Sequence, residues 1–235
     1  MTSIAIMQPY FLPYIGYFQL INAVDKFVIY DDIQFTKKGW IHRNRMLTNG
    51  KDVYVSLPLK KGSDYLSVKD RFLSDEWPKE RAKLLNRIKG SYQKAPFFND
   101  VFPLIQEIVM FENTNLFSFV QNSLVKITNY LSIDTPIVVS STIQFDNELR
   151  AEEKVMAICS AMKADHYINP IGGVELYRKA DFKDKGIELN FLKTDAVEYP
   201  QFQNEFLTFL SILDVLMFNS IEGVQKFIEL NYELV

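Results

Sequence analysis

Two aspartates at the end of an apolar run are the first side chains that could do chemistry. Asp31 and Asp32 follow the run 27–30, and Gln34 comes shortly after them. Carboxylates at the end of a buried strand are unfavourable unless they are paired or bound. They could hold a sugar hydroxyl or a substrate amine, act as a general base, or bind Mg²⁺ through water. No third carboxylate is close in sequence, so we predict no metal site. The alternative is an exposed capping or turn pair.

A short basic run follows the aspartates. It consists of Trp40, Ile41, His42, Arg43, Asn44 and Arg45. Its guanidinium groups suit phosphate oxygens, and the Trp40 ring offers a face to a base or a sugar. His42 is the better acid–base candidate, because His166 falls inside an expected strand. We predict catalytic roles for Asp31, Asp32 and His42. A solvated basic turn is the alternative for the run.

The loop 8–14, near the start of the chain, is stiffened by two prolines and precedes a helical pattern. A helix N-terminus offers free N–H groups that suit phosphate or carboxylate. Gly16 would let this helix start close to another backbone or a ligand. The predicted substrate-binding residues here are Gln8, Tyr10, Tyr14, Gly16 and Tyr17, together with Gln34, Trp40, Arg43, Asn44 and Arg45 from the segments above. The alternative is an aromatic plug on the sheet edge.

Two later loops add weaker candidates. Gly172 and Gly173 follow an expected strand, with Tyr177 after them, and could let the backbone approach a ligand. A plain turn explains the glycines equally well. Gln201, in the loop after Tyr199, could orient a substrate. Three polar residues interrupt the last apolar helices, and we interpret them as core hydrogen-bonding groups; they are Ser211, Asp214 and Asn219.

The elements around these residues predict where they meet. Residues 4–7 form a buried apolar run, and Tyr17, Leu20, Ile21 and Val24 recur at helical spacing before the second apolar run. Strand, helix and strand form a β-α-β unit with parallel strands. In open sheets of this kind, ligands bind beyond the carboxyl ends of the strands. The first loop and the aspartate pair are both expected at that edge.

The remaining periodicity completes an α/β pattern. Further strands are predicted at 53–57, 137–139, 166–168 and 187–192, and helices at 149–162, 206–218 and 224–230, with a helical region over 74–130. This alternation predicts an α/β fold, a mainly parallel Rossmann-like sheet of about five strands with flanking helices. The predicted core is 1–70 and 132–235, and 71–131 is a helical insertion or subdomain.

Composition narrows the function classes. A net charge of -3 argues against a global basic field for nucleic acid, although a local basic patch stays open. The single Cys159 rules out an internal disulfide and a cysteine metal cage. No stretch has the apolar length of a membrane span, and the start of the chain lacks the basic region of a signal peptide. A cytoplasmic location is therefore expected.

Several motifs, in this order, carry a family resemblance: MQPYFLPYIGYFQLI, FVIYDDIQFTKKGWIHRNR, YINPIGG-x-x-LY, the YPQ loop and LSILDVLMFN. Together they resemble the WbqC-like proteins of bacteria, from Ile4 to about Asn219. That family is associated with gene clusters for O-antigen and other surface polysaccharides. The resemblance implies a role in building or modifying an activated sugar, such as acylation of a sugar amine with an amino acid like glycine.

A second resemblance is architectural. A strand, a proline-containing loop and a glycine at a helix start are similar to the nucleotidylyltransferase and pantothenate synthetase superfamily, in which two histidines flank that glycine. Tyr14 and Tyr17 stand in those places here. Phenols are neutral at pH 7, so Arg43 or Arg45 would have to supply the charge for adenylyl transfer.

Three functional hypotheses follow. The first is a transferase of surface-glycan synthesis with a nucleotide or nucleotide sugar as its ligand and an activated sugar as its small-molecule substrate. The second uses an aminoacyl-tRNA donor, which would need a basic surface at Lys79, Arg81, Lys83, Arg87, Lys89 and Lys94. The third is a non-catalytic accessory protein that binds sugars or nucleotides through its aromatic residues.

Overall fold

The structure, a computed structural model, describes residues 1–63, 65–146, 148–203 and 205–235. Its strands are β1 (Ser3–Met7), β2 (Lys26–Ile29), β3 (Arg43–Thr48), β4 (Lys51–Ser56), β5 (Ile137–Val139), β6 (His166–Pro170), β7 (Glu188–Thr194) and β8 (Tyr232–Leu234). Six of them form one sheet in the order β5-β2-β1-β6-β7-β8. All neighbours in this sheet are parallel except β7 and β8. The predicted mainly parallel α/β fold is confirmed.

The helices flank this sheet. They are α1 (Ile15–Asn22), α2 (Trp77–Tyr92), α3 (Phe98–Val109), α4 (Leu116–Tyr130), α5 (Ala151–Ala161), α6 (Lys179–Lys183), α7 (Ile212–Phe218) and α8 (Ile221–Leu230). Three of these helices, α4, α7 and α8, have a side-chain cap at their N-terminus. The Asn115 side chain accepts from the Ser118 N–H, the Ser211 hydroxyl from the Leu213 N–H and the Ser220 hydroxyl from the Gly223 N–H. Among the described residues, no helix is both long and apolar enough to cross a bilayer.

Alternate residues of the strands pack into two separate hydrophobic cores. Ala5 and Phe27 belong to the larger core with α1, α7, α8 and the helices α2–α4. Ile4 and Val28 belong to the smaller core with α5 and α6. This is the burial pattern of a sheet covered on both faces, because successive side chains of a strand point to opposite faces.

One expected strand lies outside the central sheet. The strand predicted at 53–57 is present as β4, which pairs with β3 in a separate antiparallel hairpin. Asn49 and Gly50 make the turn with positive φ angles of 50° and 73°, which a tight hairpin turn requires. The basic run contributes its last three residues, Arg43, Asn44 and Arg45, to the start of β3. Its alternation, with Asn44 inward and Arg43 and Arg45 less buried, is that of a strand.

A further strand comes after the one predicted to be last. β8 pairs antiparallel with β7 at the sheet edge, so residues 187–192 do not close the sheet. The last helices are also shorter than expected at one end, since α7 begins at Ile212 rather than near residue 206. Three residues of β8 are too few to show a clear alternation in the sequence.

Candidate functional site

A cavity lies at the carboxyl edge of the sheet, where β1, β2 and β6 end. Its volume is about 480 Å³, within the range of small-molecule sites. Nine of the predicted site residues contribute to its lining: Gln8, Tyr10, Tyr14, Gly16, Tyr17, Trp40, Gly172, Gly173 and Tyr177. The first loop and the later glycine pair therefore meet at one cavity, at the edge that the β-α-β pattern predicts. The binding role of each residue remains a prediction.

Six of the lining residues are aromatic, and we call this cavity the aromatic cavity; they are Tyr10, Tyr14, Tyr17, Tyr30, Trp40 and Tyr177. The rings of Tyr10 and Tyr17 lie 5.7 Å apart, and the Tyr17 hydroxyl donates to the Gln8 carbonyl at 2.8 Å. Burial raises the pKa of Tyr10, Tyr14 and Tyr17, most strongly for Tyr17. These phenols are therefore neutral hydrogen-bonding groups. Among the described residues, no Asp, Glu, Lys, Arg or His lines the cavity.

Two glycines are required by packing against side chains. A Cβ on Gly16 would lie 2.4 Å from both the Tyr14 ring and the Thr194 hydroxyl. A Cβ on Gly173 would lie 1.9 Å from Nδ2 of Asn169. Gly16 was expected to make room for a backbone or a ligand, and it makes room for neighbouring side chains instead. Gly172 has open space around its Cα, so its backbone is the accessible one.

Asn169 also lines the aromatic cavity, and it was not among the predicted site residues. It is the second-last residue of β6 and is 6% exposed. The hydroxyl of buried Tyr167 donates to its Oδ1 at 3.1 Å, and its Nδ2 donates to the Pro170 carbonyl at 3.4 Å. An amide nitrogen carries two hydrogens, so one N–H of Asn169 is left as a donor. The space left by Gly173 accommodates this amide. An asparagine between a strand and two glycines was the sequence feature that could have identified it.

The aspartate pair lies at the same edge of the sheet, beside the end of β5. Asp31 is 4% exposed. Its Oδ1 accepts from the Ser140 hydroxyl at 2.9 Å and the Ser141 N–H at 3.0 Å, and its Oδ2 accepts from the Ser141 hydroxyl at 2.6 Å. Three serine donors hold both carboxylate oxygens of this nearly fully buried residue, which favours a positioning role over direct catalysis.

Asp32 forms an ion pair at the border of the cavity. Its Oδ2 lies 2.8 Å from Nζ of Lys154, and its Oδ1 accepts from Ser140 at 3.0 Å. Burial alone would raise the pKa of Asp32, but the hydrogen bond and charge of Lys154, with Ser140, outweigh it and lower the pKa. Nζ of Lys154 lies 5.2 Å from the ring centre of Tyr30, which lines the cavity. The ion pair therefore adjoins the cavity across the Tyr30 ring.

The arginines of β3 are already engaged. Arg43 donates to the carbonyls of Gly39 and Lys38 and lies 4.7 Å from the Tyr54 ring centre. Arg45 pairs with Asp52 at 3.0 Å. Neither guanidinium lines the aromatic cavity, so charge for a nucleotide phosphate would have to come from a residue at its border. The physical reason is the strand pairing of β3, which turns its outward side chains toward the hairpin and its surroundings.

A small adjoining cavity receives part of the basic run. Its volume is about 170 Å³, and it shares Tyr10, Tyr14 and Trp40 with the main cavity. Asn44 and Arg45 line it. The Asn44 amide is buried and donates to the carbonyls of Phe11 and Leu12, so its role there is to hold the first loop.

The remaining candidates lie elsewhere. His42 lines a separate cavity, and its pKa is lowered to about 4 by burial and by the charges of Arg43 and Arg71. Gln34 is exposed and bridges to Ser67. Gln201 is buried and donates to Asp214 at 2.7 Å. None of the three lines the aromatic cavity. Among the described residues, no three His, Cys, Asp or Glu side chains are grouped to hold a metal ion.

The comparisons with known proteins agree with this arrangement of motifs. The model of the WbqC-like protein family matches residues 8–226, which include the first loop, the aspartate pair and the glycine pair. The chain belongs to the WbqC-like protein family. It is also similar to the Uncharacterized protein Rv1507c of Mycobacterium tuberculosis, with 29% identity over 222 residues, 92% of this chain and 93% of the relative. No solved structure matches it.

Proposed function

We propose that this WbqC-like chain is a transferase that binds a nucleotide-linked amino sugar in the aromatic cavity and acylates the sugar amine during the synthesis of a bacterial surface polysaccharide. One observation carries the proposal. Aromatic rings, two side-chain amides and an accessible glycine backbone line one cavity of about 480 Å³. A largely apolar pocket with a few oriented polar groups is typical of small-molecule sites.

The lining chemistry supports a ring-shaped ligand. Aromatic faces stack on nucleobases, each stack contributing about 1–3 kcal/mol, and they also pack against the apolar faces of sugars. The fixed Nδ2 of Asn169 and the Gly172 backbone supply donors for hydroxyl or carbonyl oxygens. The association of WbqC-like proteins with polysaccharide gene clusters supports a sugar as the substrate class.

The acylation step needs a proton acceptor. The sugar amine attacks the acyl carbonyl of an activated donor, the C–N bond forms, the bond to the donor's leaving group breaks, and nitrogen loses one proton. Asp32 is our candidate for the acceptor, because Lys154 keeps it ionised and because the pair adjoins Tyr30 of the cavity. Asp31 would hold the serine turn in place behind it.

Tryptophan fluorescence tests binding. The two tryptophans are Trp40, in the cavity lining, and Trp77, which is 2% exposed in the core. Nucleotide-linked amino sugars should change the emission of the natural chain and of the Trp77→Phe variant, and should raise the melting temperature. The fluorescence change should disappear in Trp40→Phe. If a panel of nucleotide sugars changes neither emission nor melting temperature, the proposal is wrong.

Turnover tests the proton acceptor. Asp32→Asn should lower the rate by about a hundredfold or more, which is the usual contribution of general acid–base catalysis. Glu107→Gln, which breaks an exposed ion pair with Lys126, is the control and should keep full activity. Full activity of Asp32→Asn would remove the acid–base role. Ligand binding without turnover, with every activated donor tried, would instead support the non-catalytic accessory protein.

A second candidate is an aminoacyl-tRNA donor. Exposed basic side chains on α2 favour it; they include Lys79, Lys83, Arg87 and Lys89. A phosphate backbone bound by such residues gives an affinity that falls steeply with salt. Salt-sensitive tRNA binding that weakens in Lys79→Glu/Lys89→Glu would support this donor, and absence of binding at low salt would contradict it.

A further inference from the structure

A second cavity has the opposite chemistry from the aromatic one. Its volume is about 430 Å³, and it lies beside the segment that follows β4. Its lining contains the basic side chains Lys37, Lys60, Lys61 and Arg71, with His42. No carboxylate is present in the lining formed by the described residues. The described lining residues therefore carry a net positive charge, in a chain whose net charge is -3.

Arg71 is the central feature of this cavity. Its side chain is buried, with the residue 5% exposed. The guanidinium donates to the Ser63 carbonyl at 3.0 Å and the Lys60 carbonyl at 3.5 Å, and it lies 4.6 Å from the Phe35 ring centre. Within the described part of the chain it forms no ion pair. A buried charge without an opposite charge is unfavourable, and an anion in the cavity would compensate it.

The lysines at the rim extend this positive site. Lys60 Nζ lies 2.6 Å from Asp75, an exposed pair that contributes little on its own. Lys61 is exposed and forms no ion pair with another described residue. Gly62 separates these lysines from Ser63, and a Cβ there would come within 3.2 Å of the Arg71 guanidinium. Gly62 therefore places no side chain over the guanidinium of Arg71, which lines the cavity.

We propose that this cavity is a binding site for a phosphate-bearing small molecule, with Arg71 and Lys61 as its main contacts. Guanidinium groups recognise phosphate through paired hydrogen bonds, and lysine adds a point charge. His42 reports on such a ligand, because burial, Arg43 and Arg71 lower its pKa to about 4. A bound anion offsets the two arginine charges and should raise that pKa.

Histidine NMR provides the test, with pyrophosphate as the probe. The chain has two histidines, so the imidazole signals of His42 and His166 can be assigned separately. His166 lies near a different cavity and pairs with Asn190 at 2.7 Å, which makes it an internal control. Pyrophosphate should shift the His42 signals and raise the midpoint of their pH titration, while acetate at equal ionic strength should not.

Matched variants locate the site. Lys61→Gln should weaken pyrophosphate binding about two- to fivefold, as expected for one exposed charge contact. Arg71→Gln should weaken it more than about tenfold, with folding checked by the unchanged His166 signals. Lys226→Gln, an exposed position on α8, is the control and should bind normally. A titration of His42 that pyrophosphate leaves unchanged, equal shifts of both histidines, or equal losses in Lys61→Gln and Lys226→Gln would each overturn the proposal.

This experiment is independent of the sugar site. Pyrophosphate alone is added, and the readout is a histidine rather than Trp40. A negative result here leaves the aromatic cavity and its fluorescence test unaffected. Conversely, failure of nucleotide sugars to bind the aromatic cavity leaves the phosphate site standing.

Discussion

Two aspartates of this protein, Asp32 and Asp214, are stabilised by different kinds of partner. At the sheet edge, Asp32 pairs with the ammonium of Lys154 at 2.8 Å. In α7, Asp214 is fully buried and is bound by neutral donors. These donors are the Tyr92 hydroxyl at 2.8 Å, the Tyr199 hydroxyl at 2.8 Å and the Gln201 amide at 2.7 Å. One cluster contains a cation, and the other has none among the described residues.

The pKa directions follow from this difference. Burial raises the pKa of Asp214, and its three neutral donors only partly oppose that effect. Burial acts in the same direction on Asp32, but Lys154 and Ser140 reverse it. A neighbouring cation therefore decides the direction in which the carboxyl pKa moves. Asp32, whose pKa is lowered, adjoins the cavity, whereas Asp214 joins α7 to the loop that contains Tyr199 and Gln201, which is a structural role.

The largest expected effect is on the Asp214 cluster. Asp214→Ala removes the acceptor of three donors and should lower the free energy of unfolding by about 3 kcal/mol or more, because buried donors are left unsatisfied. Asp214→Asn keeps one acceptor oxygen and should lose less. Urea denaturation measures both. A loss below about 1 kcal/mol for the alanine variant would show that the cluster does not hold the loop.

A smaller effect is expected at the sheet edge. Asp32→Asn leaves the ammonium of Lys154 without its counterion, but that side chain is 15% exposed and keeps some water. The loss of unfolding free energy should be about 1–2 kcal/mol. The double variant Asp32→Asn/Lys154→Met should recover part of it. If the double variant is less stable than the single one, the ion pair does not explain the loss.

The pH dependence should have opposite signs at the two sites. For Asp214, the folded-state pKa is raised, so its stabilising contribution is present below the unfolded pKa and is lost as pH rises through the folded value. For Asp32, the folded-state pKa is lowered, so its contribution is present above the unfolded pKa and is lost as pH falls through the folded value. At each pH in the acid range, the unfolding free energy of the asparagine variant is subtracted from that of the natural chain. The two differences should change with pH in opposite directions.

The smallest expected effect is the difference in stability between two variants, one that loses a hydrogen bond to a charged acceptor and one that loses a hydrogen bond to a neutral acceptor. Tyr199→Phe removes a hydrogen bond to a carboxylate, and Tyr167→Phe removes one to the neutral amide of Asn169. Hydrogen bonds to charged groups contribute about 1.5–3 kcal/mol and neutral ones about 1 kcal/mol. Thermal unfolding near neutral pH should therefore rank Tyr167→Phe as the milder change. The reverse order would indicate that Asp214 is protonated there.

Much of the fold could be predicted because its apolar residues recur at clear strand or helix spacing. Ala5, Phe27 and their neighbours form short apolar runs, and Tyr17, Leu20 and Ile21 follow helical spacing, which is why β1, α1 and β2 appear where they were expected. The core role of Asp214 and Ser211 was also predicted, since polar residues on an apolar helix must be hydrogen-bonded. The pairing of β4 with β3 was not, because a hairpin and a sheet strand share the same alternation.

The sequence alone determined the parallel sheet, the edge at which the first loop, the aspartates and the glycine pair lie, and the membership of the WbqC-like family. Only the tertiary structure decided which side chains share a cavity. Neighbouring residues on a strand or turn point to different surroundings, so Tyr30 lines the aromatic cavity while Asp31 binds serines. The surroundings that each side chain meets depend on packing partners distant in the chain, which is also why His42 lines a separate cavity.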